Sequence, residues 1–183
     1  MSLHLLGICG SLRKNSTNLG LLRAAEKSLP AGVTLTIAQL HDVAFYNSDL
    51  PEKPPGVKRV LEQIERADGF LLACPEYNYS IAPALKNILD WASREPDNRL
   101  LSGKTAAILG SGGGMGSSRA QYHLRQVCAC LNLHVLNKPE VFSNSFVGNF
   151  NEAGDLIHEA TQQMVAAQLQ ALVQWTQRIK AFG

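Results

Sequence analysis

Charge is scarce and evenly spread along this chain. Asp, Glu, Lys and Arg make up 17% of its 183 residues, and the formal net charge is +2. Residues 1–92 carry nine basic and nine acidic side chains, and the rest carry eight and six. That balance leaves no basic arm or acidic tail to dock on nucleic acid or an anionic membrane. Long apolar runs are missing too, since none approaches the ~20 residues that span a bilayer. The apolar stretch Leu3–Cys9 is too short for a signal-peptide core, and Gly-Ser-Leu-Arg follows it rather than a cleavage site. Cysteine is sparse. Cys9, Cys74, Cys128 and Cys130 form no CxxC, so free thiols in a reducing cytoplasm are expected. Cys128 and Cys130, two apart on one predicted helix, point roughly 200° apart around its axis.

Signatures of several enzyme classes are absent as well. There is no Walker A loop, G-x-S-x-G, HExxH or EF-hand pattern. His4, His41, His123, His134 and His158 each stand alone in their local pattern and read as structural or surface imidazoles. The sequence assigns no role to Arg119 or His123, and no catalytic acid or base is named.

What the chain does have is alternation. Apolar strand-like runs fall at 3–9, 33–38, 69–74, 104–110 and 134–141. Between and after them come helical patterns at 18–29, 57–67, 80–94 and 117–131, and a long closing helix marked by Val165, Leu169, Leu172, Thr176 and Ile179. Ser80 is the expected N-cap of the third helix, with Pro83 in its first turn. Residues 142–154 read as a polar loop. Five β-α units in one domain spanning residues 1–183 predict an α/β fold. The expected form is a doubly wound, five-stranded parallel sheet of flavodoxin-like order 2-1-3-4-5, with helices on both faces. Ligands then bind at the carboxyl ends of the first, third and fourth strands.

The loops after those strands carry the chemistry. The first holds Ser11, Arg13, Ser16, Thr17 and Asn18 at the start of a helix. Backbone N–H groups there favour an anion, the side chains add donors, and arginine forks to phosphate oxygens. The competing reading is an ordinary Ser/Asn-rich turn that caps a helix. The second loop is Pro75-Glu76-Tyr77-Asn78-Tyr79, whose aromatics suit a flat ligand. Taken alone, a turn with an N-cap is the better reading, and Glu76 reads as a turn or interface residue. The third, Ser111-Gly112-Gly113-Gly114-Met115-Gly116, lets backbone approach a ligand closely and permits positive φ. Together they fit a long, flat mononucleotide better than any nucleophile–base pair.

At these loops the chain resembles a known family. GSLRKNSTN, PEYNYSIAPALKNILDWASR and GSGGGMGSSRAQYHLRQ look like the three signatures of the NADPH-dependent FMN reductases. The likeness is greatest to the plant-type and bacterial NADPH:quinone oxidoreductases, and it runs over nearly the whole chain. The resemblance implies that Ser11, Arg13, Ser16, Thr17 and Asn18 surround the FMN phosphate. It implies that Pro75, Glu76, Tyr77 and Asn78 line the isoalloxazine, and that Ser111, Gly112, Gly113 and Gly114 face its pyrimidine edge. Many members read S-x-P-G-x-L-K-N after the aromatic turn, whereas this chain has Ala82-Pro83 in place of Pro-Gly.

The implied activity is oxidoreduction, with FMN as cofactor and NADPH or NADH as co-substrate. Hydride passes through flavin N5 to a small-molecule acceptor, a quinone, azo dye, chromate or free flavin, by a ping-pong route. A homodimer or homotetramer is implied too, with the aromatic turn near a subunit interface. The alternative is a flavodoxin-like electron carrier with no NAD(P)H oxidase activity of its own. Such carriers tend to be strongly acidic, and a net charge of +2 argues against it.

Overall fold

A computed structural model describes residues 2–182 of the protein. The chain runs β1 (Leu3–Cys9), α1 (Thr17–Glu26), β2 (Val33–Ala38), α2 (Pro55–Arg66), β3 (Gly69–Ala73), β4 (Glu76–Tyr77), β5 (Ser80–Ile81) and α3 (Pro83–Ser93). A 3-10 turn (Pro96–Asn98) leads on to β6 (Thr105–Gly112), α4 (Ser118–Cys130), β7 (His134–Val135), β8 (Val141–Asn144) and α5 (Glu159–Phe182). The main sheet has order β2-β1-β3-β6-β7, with β8 also on β6, and every pairing is parallel. With the small hairpin β4-β5 set aside, this is the flavodoxin-like order 2-1-3-4-5.

Side-chain alternation sorts the core into two layers. Leu6 and Ile8 of β1, Phe70 and Leu72 of β3, and Ala106 and Ile108 of β6 pack under α2, α3 and α4. Their neighbours Leu5, Leu71, Ala107 and Leu109 pack under α1 and α5 instead. Both faces are therefore buried, which is why β3 reads as an unbroken apolar run. Register aligns the strand ends. Cys9 pairs with Ala73, Ala73 with Leu109, and Leu109 with Val141, so these four form one row across the sheet. Everything beyond that row is rim.

Two expectations change. The fifth strand is broken in two. From Ala106 to Leu109, β6 advances three residues while its partner advances six, from Val135 to Val141. The extra residues loop out around Pro139, which has no N–H to give the ladder. Ser80 caps nothing; it is a strand residue of the hairpin β4-β5. Ala82 takes the N-cap position of α3 without a side-chain cap, and Pro83 is its first residue, where a missing N–H breaks no bond. In the glycine loop positive φ falls at Gly116 (58°) and at Ser117 (67°) just beyond it.

The thiols divide as the helical angle requires. Cys128 is buried under α4 and Cys130 is exposed. Burial pushes the Cys74 and Cys128 thiols up to about 12 and raises that of Cys9. A disulfide reagent at pH 8 should therefore label one cysteine per chain quickly, Cys130, and the other three only on unfolding. Fast labelling of a second thiol in the Cys130→Ser variant would contradict this packing.

Candidate active site

The first rim loop begins at Gly10, where a Cβ would lie 2.9 Å from Pro75 Cδ and 3.0 Å from Ala82 Cβ. Only glycine lets the first and second loops come this close. Ser16 is the N-cap of α1, its hydroxyl accepting from the N–H of Leu19 at 3.2 Å. The N–H groups of Thr17 and Asn18, first in the helix, have no acceptor within it. Ser11 Oγ accepts from the Arg13 N–H at 3.4 Å and keeps its own proton to donate. Arg13 is exposed and enters no ion pair among the described residues. This corner is rich in donors, with one free guanidinium, the setting a phosphate needs.

Asn18 has a different task from its neighbours. Its Nδ2 donates to the Ser111 carbonyl, and its Oδ1 accepts from the Ser111 N–H, both at 2.9 Å. The amide is spent on β6 and acts as a brace. Ser111 Oγ, by contrast, is buried and has no partner.

The second loop is a tight hairpin. Asn78 and Tyr79 both have positive φ, 51° and 67°, at the two turn positions between β4 and β5. Asparagine tolerates this conformation, but tyrosine adopts it at a cost of roughly 1–2 kcal/mol. The Tyr79 ring lies beneath Arg119, whose guanidinium carbon sits 3.8 Å from the ring centroid. Arg119 also clasps Glu76, with Nε 2.7 Å and Nη2 2.5 Å from Oε1. Ser80 Oγ lies 2.9 Å from His123 Nδ1, so α4 holds the hairpin at two points.

The third loop leaves β6 at Gly112. The Gly112 carbonyl accepts from both the N–H and the hydroxyl of Ser145, at 2.8 and 2.7 Å. Gly110 is packed tight, since a Cβ there would lie 2.2 Å from Ser117 Oγ and 2.4 Å from the Cys74 carbonyl oxygen. At Gly113 a Cβ would meet only Phe146 Cε2, at 3.9 Å.

These loops enclose one hollow of about 240 Å³. From the first loop it takes Ser11, Arg13, Ser16, Thr17 and Asn18, and from the second Pro75, Glu76 and Tyr77. From the third it takes Ser111, Gly112 and Gly113. Asn78 and Gly114 lie outside the lining. Ser145 and Phe146, from the loop after β8, complete it, and sequence reasoning passed over both. Their signal was positional: they follow the fifth strand at the same end of the sheet as the other three loops. Beside this hollow lies a larger one of about 580 Å³, with Arg13 and Tyr77 common to both. Its other walls include Leu12, Leu40, Val43, Phe45 and Pro83.

The residues fit a flavin mononucleotide. One end offers donors and a free cation, the middle an aromatic turn, and the far side a buried hydroxyl in want of a partner. No group of three or more His, Cys, Asp or Glu among the described residues is placed to hold a metal ion. No helix among them is long and apolar enough to cross a membrane.

The chain is similar to known proteins along most of its length. A family model described as NADPH-dependent FMN reductase matches residues 3–148. An NAD(P)H-dependent FMN reductase of Pseudomonas aeruginosa is 45% identical over 181 residues, covering 97% of each chain. An NAD(P)H:quinone oxidoreductase of Solanum tuberosum is 46% identical, covering 91% of this chain and 89% of its own. Among solved structures, the flavoenzyme NAD(P)H:(acceptor) oxidoreductase FerB of Paracoccus denitrificans superposes with a TM-score of 0.86 at 28% identity, over 96% of this chain and 98% of its own. The chain belongs to the NADPH-dependent FMN reductase family.

Proposed function

We propose that the protein holds one FMN in the rim hollow and passes electrons from NADPH or NADH to a quinone-type acceptor. The observation that carries this reading is the donor-rich corner at the first turn of α1, which opens into the same hollow as the aromatic turn and the glycine loop. Ser11, Arg13, Ser16 and Thr17 hold the phosphate. Pro75 and Tyr77 lie along the ring, and backbone N–H groups of Gly112 and Gly113 meet its carbonyl-rich edge. FMN, when bound, supplies two-electron chemistry at N5; the protein supplies position and field. Ser111 Oγ gains the partner it lacks. Asn18 positions Ser111 rather than touching phosphate.

The apolar walls of the larger hollow suit a planar, weakly polar acceptor such as a quinone. Large side chains stand exposed around the turn, Phe45 at 76% and Tyr79 at 70%. They support a homo-oligomer whose interface runs beside the site. Four unpaired cysteines support a reducing, cytoplasmic setting. The carrier reading finds no support among relatives, which bear the names of reductases and oxidoreductases.

The test is direct. The purified protein should be yellow, release FMN on heating at one per chain, and oxidise NAD(P)H when a quinone is present. Double-reciprocal plots should give parallel lines if both substrates use one face of the ring in turn. Release of FAD, or failure to take up any flavin on reconstitution, overturns the assignment. Intersecting lines overturn only the shared face.

A further inference from the structure

Helix α4 begins without a cap of its own. Ser117, in the N-cap position, has a left-handed backbone and makes no side-chain cap bond. Of the first four helical N–H groups, that of Ser118 goes to the Met115 carbonyl and that of Gln121 to the Ser117 carbonyl. The N–H of Ala120 goes to Glu76 Oε2, at 3.3 Å. A carboxylate from the hairpin thus caps α4 across space, and Arg119, the second residue of the helix, grips its other oxygen.

The two charges are not equivalent as seen from the hollow. The Glu76 side chain is only 8% exposed and lines the hollow. Arg119 is 43% exposed, lies outside that lining and spreads its guanidinium over Tyr79 on the solvent side. The charge outside the lining lies farther from the hollow and acts on it less than the one that lines it. A helix N-terminus carries about half a positive charge, which favours an anion nearby. Here a full negative charge has been set upon it.

We propose that the Glu76–Arg119 pair sets the reduction potential of the flavin, Glu76 lowering it by cancelling the field of α4 and Arg119 limiting that drop. The inference rests on the reading that FMN occupies the rim hollow. Reduction adds two electrons and, where N1 stays deprotonated, one proton, so the ring gains one negative charge. A carboxylate against the hollow opposes that gain, and a guanidinium supports it. A low potential suits a flavin that must hand its electrons onward.

The test uses two charge-removing variants and one control, each as FMN-loaded protein, titrated with dithionite against a reference dye at fixed pH. Glu76→Gln loses the charge and keeps the shape of the side chain, with one acceptor oxygen in place of two. Its flavin should become easier to reduce, by about tenfold in the equilibrium with the dye, or ~30 mV for a two-electron couple. Arg119→Gln should shift it the opposite way and by less, because its charge lies outside the lining of the hollow. Arg119→Lys should restore the original potential. If the pair merely props the hairpin, both neutral variants loosen FMN together and their potentials move in one direction or not at all. That outcome overturns the proposal while leaving the FMN reading intact. A wild-type protein that takes up no FMN overturns the underlying reading instead. Should Glu76→Gln misfold, the Arg119 pair of variants, altered at an exposed site, still decides the sign.

Discussion

Valine in place of Gly113 should leave the fold intact and drive FMN out of the hollow. A Cβ there would touch nothing in the protein but the edge of Phe146, and its backbone is not in the left-handed region that demands glycine. The added methyl groups project into the space the ring needs. Overpacking a filled site costs up to about 3 kcal/mol, which is over a hundredfold in Kd. FMN titration by quenching of flavin fluorescence gives the affinity, and thermal unfolding of the flavin-free protein should be unchanged. Gly110→Val is the informative contrast. Its Cβ would collide with Ser117 Oγ and the Cys74 carbonyl, so that variant should lose thermal stability before any flavin is added. Tight FMN binding by Gly113→Val would move the ring elsewhere on the rim.

Alanine in place of Arg13 should weaken FMN binding by about 1.5–3 kcal/mol, the range for a hydrogen bond to a charged group. The guanidinium is exposed and, among the described residues, bonds to no other side chain, so its removal orphans none of them. The effect should shrink as salt is added, since an exposed charge pair is screened. Turnover of the variant saturated with FMN should change little, because the phosphate end is remote from N5. Arg13→Lys should recover part of the affinity but not the forked geometry. If Arg13→Ala binds FMN as tightly as wild type, the side chain points into solvent and the phosphate is held by the first turn of α1 alone.

Much of this architecture could be read in advance because both faces of the sheet are buried. Leu3–Cys9 and Gly69–Ala73 had no polar alternation to confuse with a helix, and the loops after them follow from strand order. The interrupted fifth strand was harder. Its apolar residues run on either side of Pro139, and a looped-out segment has the same composition as a strand end. The hairpin β4-β5 was missed for a physical reason. A two-residue turn of left-handed backbone is usually signalled by Asn-Gly, and here it is Asn78-Tyr79. Glu76 was legible as a turn residue, but its partner lies forty-three positions away on α4, and no local spacing announces such a pair. Phe146 sits in a segment whose Ser, Asn and Gly content reads as generic loop.

The double hydrogen bond between Asn18 and Ser111 has a consequence for selectivity by length. A side-chain amide here stands in for a strand, gripping one residue by both its backbone polar groups. It ties the first turn of α1 to the end of β6 like a crossbar between two uprights. The donors at one upright and the glycine backbone at the other then sit a fixed distance apart before any ligand arrives. Little ordering entropy remains to be lost on binding. The same rigidity makes the rim a gauge. A molecule with an anionic head and a flat tail at that spacing engages both uprights at once. A riboflavin without its phosphate reaches only one of them.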